Sequence, residues 1–157
     1  MTASRSPHLP YQGHFDGTEH KFAVRVYFED TDFSGVVYHA RYLHFMERAR
    51  SDMLARAGID QRAAHEAGEG AYAVTAMDLK FRRAAHFDDA LLLTSTVERI
   101  GGASVDIHQT ITRDAEIIVT AKVTAAFVSP QGRARRQPKQ WVAAFEKILH
   151  KGGASLP

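Results

Sequence analysis

The spacing of apolar residues predicts that the chain opens with a strand and continues into a long helix. Across residues 22–29 every second residue is apolar, which is typical of a half-buried strand. Across residues 38–57 the apolar positions instead recur with a helical period, and Gly58 follows as a C-terminal cap. We therefore expect a strand, a connecting loop at residues 30–37 and a helix.

Four further strands are predicted after the helix, at residues 73–81, 91–100, 103–112 and 117–127. Residues 113–115 separate the last two and predict a hairpin turn. The fold class is therefore α+β, with a long central helix wrapped by a curved antiparallel sheet of about five strands. One helix cannot cover both faces of such a sheet, so we expect a second copy of the chain to cover part of it.

Both ends of the chain differ from this central region. Residues 1–20 are polar and interrupted by proline and glycine, so we expect a flexible tail before a single domain at residues 21–151. Residues 138–151 predict an amphipathic helix, and residues 152–157 a flexible C-terminus. That helix packs on the sheet or against another subunit, or alternatively lies on a membrane surface or a partner.

Composition and charge exclude several classes of function. The chain has no cysteine, so disulfides, zinc–thiolate sites and cysteine nucleophiles are impossible. A net charge of +2 is too small to argue for nucleic acid, and no apolar run resembles a signal peptide or a membrane span. His44 and Glu47 share a helix face without a convincing further ligand, so we expect no metal. A cytoplasmic protein is the expectation.

The candidate chemistry lies in the loop before the helix, where Asp32 precedes Gly35. A carboxylate can attack a carbonyl or activate water, and backbone N–H groups at a helix start can hold the oxyanion that forms. This pattern favours acyl transfer or hydrolysis in a cleft beside Asp32. Spacing alone, however, favours an ordinary helix-capping or loop aspartate, because aspartate is common before a helix.

A longer run of residues carries a family resemblance. Tyr27-Phe-Glu-Asp-Thr-Asp32, then Gly35-Val-Val-Tyr-His39, then Tyr42 and Glu47-Arg-Ala-Arg50 resemble the hot-dog-fold acyl-CoA thioesterases. The resemblance is strongest to the 4-hydroxybenzoyl-CoA thioesterase-like branch and, within it, to the YbgC-like, Tol–Pal-associated family. It implies that Asp32 is the catalytic carboxylate and that the backbone N–H near His39 polarises the thioester carbonyl, with the His39 side chain near the substrate.

The resemblance also implies which residues surround the substrate. The expected substrate-binding residues are Phe28, Gly35, Val36, Val37 and Tyr38. At Phe28 the branch often has a tyrosine, so a hydroxyl at that position is missing here. Another branch uses a helix glutamate as its catalytic acid, but for Glu47 we expect an ion pair with Arg48 or Arg50.

The implied activity is hydrolysis of a short- or medium-chain or aromatic acyl-CoA to the acid and free coenzyme A. Asp32 serves as nucleophile or general base, and no cofactor is expected beyond the coenzyme A of the substrate. A non-catalytic acyl-CoA or acyl-carrier-protein binding module is the alternative. The implied assembly is a homo-oligomer, a dimer and then a tetramer.

Two basic clusters suit the coenzyme A phosphates, or else form solvated basic loops. They consist of Arg82, Arg83, Arg133, Arg135 and Arg136.

Overall fold

The computed structural model describes residues 7–155 of the 157-residue chain, with side chains for residues 7–150. The helices are α1 (Arg41–Arg56), α2 (Gln61–Glu66) and α3 (Lys139–Lys147), with a 3-10 helix at Phe28–Asp30. The strands are β1 (His14–Asp16), β2 (Glu19–Arg25), β3 (Ala71–Phe81), β4 (Ala90–Ile100), β5 (Ser104–Arg113), β6 (Glu116–Val128) and β7 (Leu149–Ser155).

The strands form one seven-stranded sheet in the order β1-β2-β4-β5-β6-β3. All neighbours along this order are antiparallel, and β7 pairs in parallel with β4. The predicted α+β class is therefore confirmed, with seven strands instead of about five. In the described part of the chain β3 pairs only with β6 and most of its residues are exposed, so it is an open edge.

The long helix α1 packs on this sheet through one apolar side. Met46, Ala49 and Met53 are fully buried, at the helical spacing of three or four residues. Burying a side chain such as methionine stabilises the fold by roughly 1.5–3 kcal/mol. The helix begins three residues later than predicted, because the Arg41 N–H donates to the Tyr38 carbonyl in a turn that precedes it.

The N-terminal boundary predicted at residue 20 is too late. The sheet already begins at His14, and His20 is completely buried. Ahead of it, the Gly13 N–H donates to the Asp52 carboxylate on α1 at 3.0 Å. Residues 1–6 of the predicted tail lie outside the described residues.

The C-terminal segment also differs from its prediction. The helix α3 ends at Lys147 and not at residue 151, and Leu149–Ser155 forms a strand where the end of that helix and a flexible terminus from residue 152 were expected. Residues 156 and 157 lie outside the description. Trp141 and Phe145 are buried in the core with Met53 and Phe127, so the apolar side of α3 packs inside the protein and the membrane-surface alternative is wrong.

The strand predicted at residues 22–29 ends earlier in the structure than expected. Strand β2 ends at Arg25, and the 3-10 helix follows, which leaves the Phe28 ring 83% exposed instead of on the buried side.

None of the helices in the described range combines the length and apolar character that crossing a membrane requires.

Candidate active site

The loop between β2 and α1 holds three carboxylates in different environments. Asp30 is buried, and its carboxylate accepts the Tyr27 N–H at 2.7 Å and lies 3.2 Å from the Arg41 guanidinium. It therefore ties the loop to the first residue of α1. Glu29 and Asp32 are both exposed. Because Asp30 is committed to the fold, the loop offers two carboxylates to a ligand.

Asp32 opens a tight turn that holds its own carboxylate in place. The Gly35 N–H donates to the Asp32 carbonyl at 3.0 Å, and Gly35 has a φ of +83°, a conformation that glycine adopts without a steric penalty. The Ser34 N–H and hydroxyl both donate to Asp32 Oδ1. Helix α1 begins after Ala40 with no side-chain cap, so Asp32 is a turn residue and does not cap that helix.

The Asp32 carboxyl is ionised more readily than an ordinary aspartate. The hydrogen bonds from the Ser34 hydroxyl and N–H lower the pKa of Asp32 below 3.8, and the charge of His39 acts in the same direction. The group is fully exposed, so solvent weakens these effects. At neutral pH Asp32 is therefore a carboxylate, the form that a nucleophile or general base requires.

Most backbone N–H groups before α1 are already used by the fold. Val37 N–H donates to the Ala85 carbonyl at 2.8 Å, and Tyr38 N–H donates to the Asp30 carbonyl at 2.9 Å. The His39 N–H has no protein acceptor among the described residues. The arrangement therefore leaves the predicted oxyanion donor, the His39 N–H, open to a ligand.

Aromatic rings connect this loop to the end of β3. The His39 ring lies 4.5 Å from the Tyr38 ring and 6.3 Å from the Phe81 ring, as measured between centroids. Tyr42, the second residue of α1, accepts the Ala85 N–H through its hydroxyl at 3.1 Å. The loop carrying Asp32 is therefore held at the C-terminal end of the open-edge strand β3.

The predicted substrate-binding residues do not all share this surface. Gly35 and Tyr38 are exposed, and Val36 forms a bridge with His86. Val37 is buried in the core, so its side chain supports the loop instead of facing a ligand. Phe28 is exposed within the 3-10 helix, and no ring contact to the other aromatics is found along the described chain.

The main pockets between the described residues do not include the cleft expected beside Asp32. A groove of about 660 Å³ lies between β2 and the outer side of α1, with Phe22, Arg41 and Arg48 in its walls, but Asp32 does not line it. The Asp32 carboxylate instead faces solvent. The surface around this carboxylate is therefore open in the described part of the chain.

The two arginine clusters lie at opposite ends of one strand pair. Arg82 and Arg83 follow Phe81, where β3 meets the start of β6, and Arg83 pairs with Glu116 at 3.3 Å. The loop containing Arg133, Arg135 and Arg136 lies at the other end, where Arg135 donates to the Glu69 carbonyl. A strand of this length spans about 30 Å, so within one protomer the clusters cannot bind the same phosphates.

A buried polar network was not foreseen from the sequence. Arg50 donates to the Gln109 side chain at 2.8 Å, although the two residues are 59 positions apart. The sequence feature that could have indicated this network was the position of Arg50 on the apolar stripe of α1.

The expected ion pair of Glu47 with Arg48 or Arg50 is absent from the described residues, where no such contact within 4.0 Å occurs. Over the same residues, no group of three or more histidine or acidic side chains is placed to hold a metal.

Comparison with known proteins gives consistent matches over most of the chain. A profile described as the thioesterase-like superfamily matches residues 26–145. The acyl-CoA thioesterase YbgC of Haemophilus influenzae is 38% identical over 129 residues, which is 81% of this chain and 94% of that protein.

Two solved structures are similar to the whole fold. A probable thioesterase from Bartonella henselae is 41% identical with a TM-score of 0.72, covering 77% of this chain and 98% of that one. A 4-hydroxybenzoyl-CoA thioesterase in complex with 4-hydroxybenzoyl-CoA has a TM-score of 0.74 at 17% identity, covering 81% and 98%. The second likeness concerns the fold alone.

Proposed function

Because this chain belongs to the thioesterase-like superfamily, we propose that Asp32 is the carboxylate with which it cleaves acyl-CoA thioesters. The chain is an acyl-CoA thioester hydrolase with a hot-dog fold. The observation that supports Asp32 is its position: an exposed, ionised carboxylate in the same loop as the open His39 N–H.

The proposed reaction adds water across the thioester bond and yields a carboxylic acid and the thiol of coenzyme A. Asp32 either attacks the carbonyl carbon, giving a mixed anhydride that water then opens, or removes a proton from the attacking water. In both routes negative charge develops on the carbonyl oxygen, and the His39 N–H donates to it at the N-terminal end of α1. The His39 side chain borders the same space.

We infer that a second protomer closes the site by pairing its β3 with the β3 of the first. The open β3 edge presents unpaired backbone groups, which a symmetric antiparallel partner satisfies. Such pairing places the Phe81 end of one β3 beside the Ala71 end of the other. Asp32 of one protomer then faces the first half of the partner's β3, and association of two dimers gives the proposed tetramer.

The same pairing brings the two arginine clusters together. Arg82 and Arg83 of one protomer approach the loop of Arg133, Arg135 and Arg136 from the other, although they are about 30 Å apart within a chain. Together they form a cationic rim for the coenzyme A phosphates or, alternatively, for an acidic acyl carrier protein. The acyl group proposed here is short, medium-chain or aromatic, the last being the type bound by the 4-hydroxybenzoyl-CoA thioesterase.

The test is steady-state hydrolysis of a panel of acyl-CoAs, followed by release of the free thiol. Asp32→Asn and Asp32→Ala should each lose at least ~10²-fold in kcat/KM, the scale typical of removing a catalytic acid or base. Glu29→Gln is the matched control, because it removes an exposed carboxylate from the same loop without touching the proposed chemistry.

Near wild-type turnover in both Asp32 variants would contradict the assignment of Asp32. If the wild-type protein binds acyl-CoA tightly but releases no thiol from any member of the panel, the protein is instead a binding module on the same fold.

A further inference from the structure

Arg50 is a buried cation that has no acidic partner in the part of the chain that the structure describes. Its side chain lies on the sheet-facing side of α1, and the residue is only 8% exposed. Within the described residues no carboxylate approaches its guanidinium to 4.0 Å, and its one hydrogen bond goes to the neutral Gln109 side chain. Burial lowers the pKa of Arg50, while the more distant charge of Glu47 acts in the opposite direction. A buried charge is costly unless it is paired, so this position requires an explanation.

Gln109 holds the guanidinium in one orientation. Its amide nitrogen donates to the Met46 carbonyl and to the Ser95 hydroxyl, each at 3.0 Å, and the residue is fully buried. The amide oxygen is thereby left to accept from Arg50 at 2.8 Å. Because α1, β4 and β5 each contribute a member, the network fixes the direction of Arg50 without neutralising its charge.

The guanidinium borders a small pocket of about 80 Å³ between α1 and the sheet. Its apolar lining consists of Leu54, Tyr72, Val74, Val105, Ile107, Ala125 and Phe145. Among the described side chains, the one fully buried polar atom that lacks a partner is His20 Nδ1. The remaining N–H groups of Arg50 are therefore not fully buried, and they are accessible from the pocket that Arg50 lines.

This pocket belongs to the proposed active site only when two protomers pair. Tyr72 and Val74 lie in the first half of β3, whereas Phe81, which contacts His39, lies about 20 Å or more away along the strand. Antiparallel pairing of two β3 edges places the pocket of one protomer beside Asp32 of the other. The inference below therefore rests on the proposed function.

We propose that this pocket receives the far end of the acyl group and that Arg50 binds a carboxylate there. The substrate class is then a short acyl thioester with a terminal carboxylate. The pocket is small, about 80 Å³, so it suits only the end of a short acyl chain. A carboxylate matches the planar guanidinium and supplies the missing counter-charge, whereas a methyl terminus leaves that charge unpaired.

The decisive comparison is kcat/KM for glutaryl-CoA against pentanoyl-CoA, which have equal chain length and differ at the terminus. We expect the wild-type enzyme to prefer glutaryl-CoA by at least ~10-fold. Arg50→Met should lose ~10²-fold on glutaryl-CoA with little change on pentanoyl-CoA, because the loss of a buried charge partner affects the anionic substrate selectively. Arg48→Met, an exposed arginine on the same helix, is the control and should keep the wild-type preference.

Glu47→Gln provides a second variant at low risk of misfolding, because Glu47 is exposed at the pocket mouth. Removing this negative charge should raise kcat/KM for glutaryl-CoA a few-fold and leave pentanoyl-CoA unchanged. If Arg50→Met does not fold, the comparison of the two substrates is made with Glu47→Gln and Arg50→Lys instead. An unchanged preference in both variants would overturn the proposal.

Failure of this inference can be separated from failure of the proposed function. Equal hydrolysis of both substrates by the wild-type enzyme rejects the carboxylate pocket and leaves the thioesterase site intact. If neither substrate is hydrolysed, calorimetry with the non-hydrolysable thioether analogues of the two substrates decides. Tighter binding of the glutaryl analogue that Arg50→Met abolishes supports the pocket, and equal binding of both analogues refutes it.

Discussion

At the scale of single residues, the carboxylates of Asp30 and Asp32 differ in burial and in their hydrogen-bond partners. Asp30 is buried and binds Arg41, while Asp32 receives two hydrogen bonds from Ser34 and stays in solvent. The sequence places both in one acidic run and does not separate their environments. The resemblance to a known motif singled out Asp32, whereas the use of Val37 and Tyr38 N–H groups by the fold became visible only in the structure.

The lowered pKa of Asp32 leads to a pH prediction. In the proposed reaction activity requires the Asp32 carboxylate, so it is lost as pH falls through the lowered pKa of Asp32. In Ser34→Ala the hydroxyl hydrogen bond is gone, and the acidic limb of kcat/KM should move upward, toward the ordinary aspartate value. The measurement is a pH–rate profile from about pH 3 to 8, with tryptophan fluorescence to confirm that the protein stays folded.

Thr31→Val is the control for this profile. The Thr31 hydroxyl donates to the Phe28 carbonyl in the same loop, whereas the hydrogen bonds to the Asp32 carboxylate come from Ser34. Its acidic limb should coincide with that of the wild-type enzyme. An identical limb in Ser34→Ala and wild type would mean that Ser34 does not set the ionisation of the catalytic group.

At the scale of secondary-structure elements, the sequence predicted those elements that bury one regular face. α1 and the strands β2 to β6 show a helical or alternating apolar pattern, and all of them occur. The elements β1, α2 and β7 have three, six and seven residues and no such pattern. β1 is a short hairpin arm that pairs with the adjacent β2, whereas β7 depends on β4, a strand distant from it in sequence.

Gly13, which precedes β1, packs closely against Lys21 and against Asp52 of α1, and this close packing leads to a stability prediction. A Cβ at this position would lie 2.3 Å from the Lys21 carbonyl and 2.7 Å from the Asp52 carboxylate, so backbone would have to move. That movement disturbs the contact between Asp52 and the buried His20, which are 2.7 Å apart. Gly13→Ala should lower the free energy of unfolding by on the order of 2 kcal/mol.

Gly102→Ala is the matched control for the Gly13 substitution in urea unfolding. A Cβ at Gly102 would meet only the Arg136 guanidinium, at 4.0 Å, so this variant should stay within about 1 kcal/mol of wild type. Equal stability of the two variants would show that the close packing at Gly13 contributes nothing.

At the scale of the whole molecule, the proposed site is incomplete in one chain. The Asp32 carboxylate faces solvent, the arginine clusters lie at opposite ends of the β3–β6 pair, and the pocket beside Arg50 opens along the first half of β3. In the proposed dimer, antiparallel pairing of two β3 edges brings these parts together. The sequence predicted an oligomer from uncovered sheet surface, but it could not identify β3 as the edge, because strand order depends on tertiary pairing.

The most direct test of this account is the activity of a purified heterodimer made from two inactive variants. One chain carries Asp32→Asn, and the other carries Val74→Trp, which fills the pocket next to β3; the two are co-expressed with different tags. If each site combines Asp32 of one protomer with the pocket of its partner, one of the two sites in the heterodimer carries both substitutions and the other carries neither. The account predicts about half of wild-type turnover per dimer. No recovery above the two parent homodimers would contradict it.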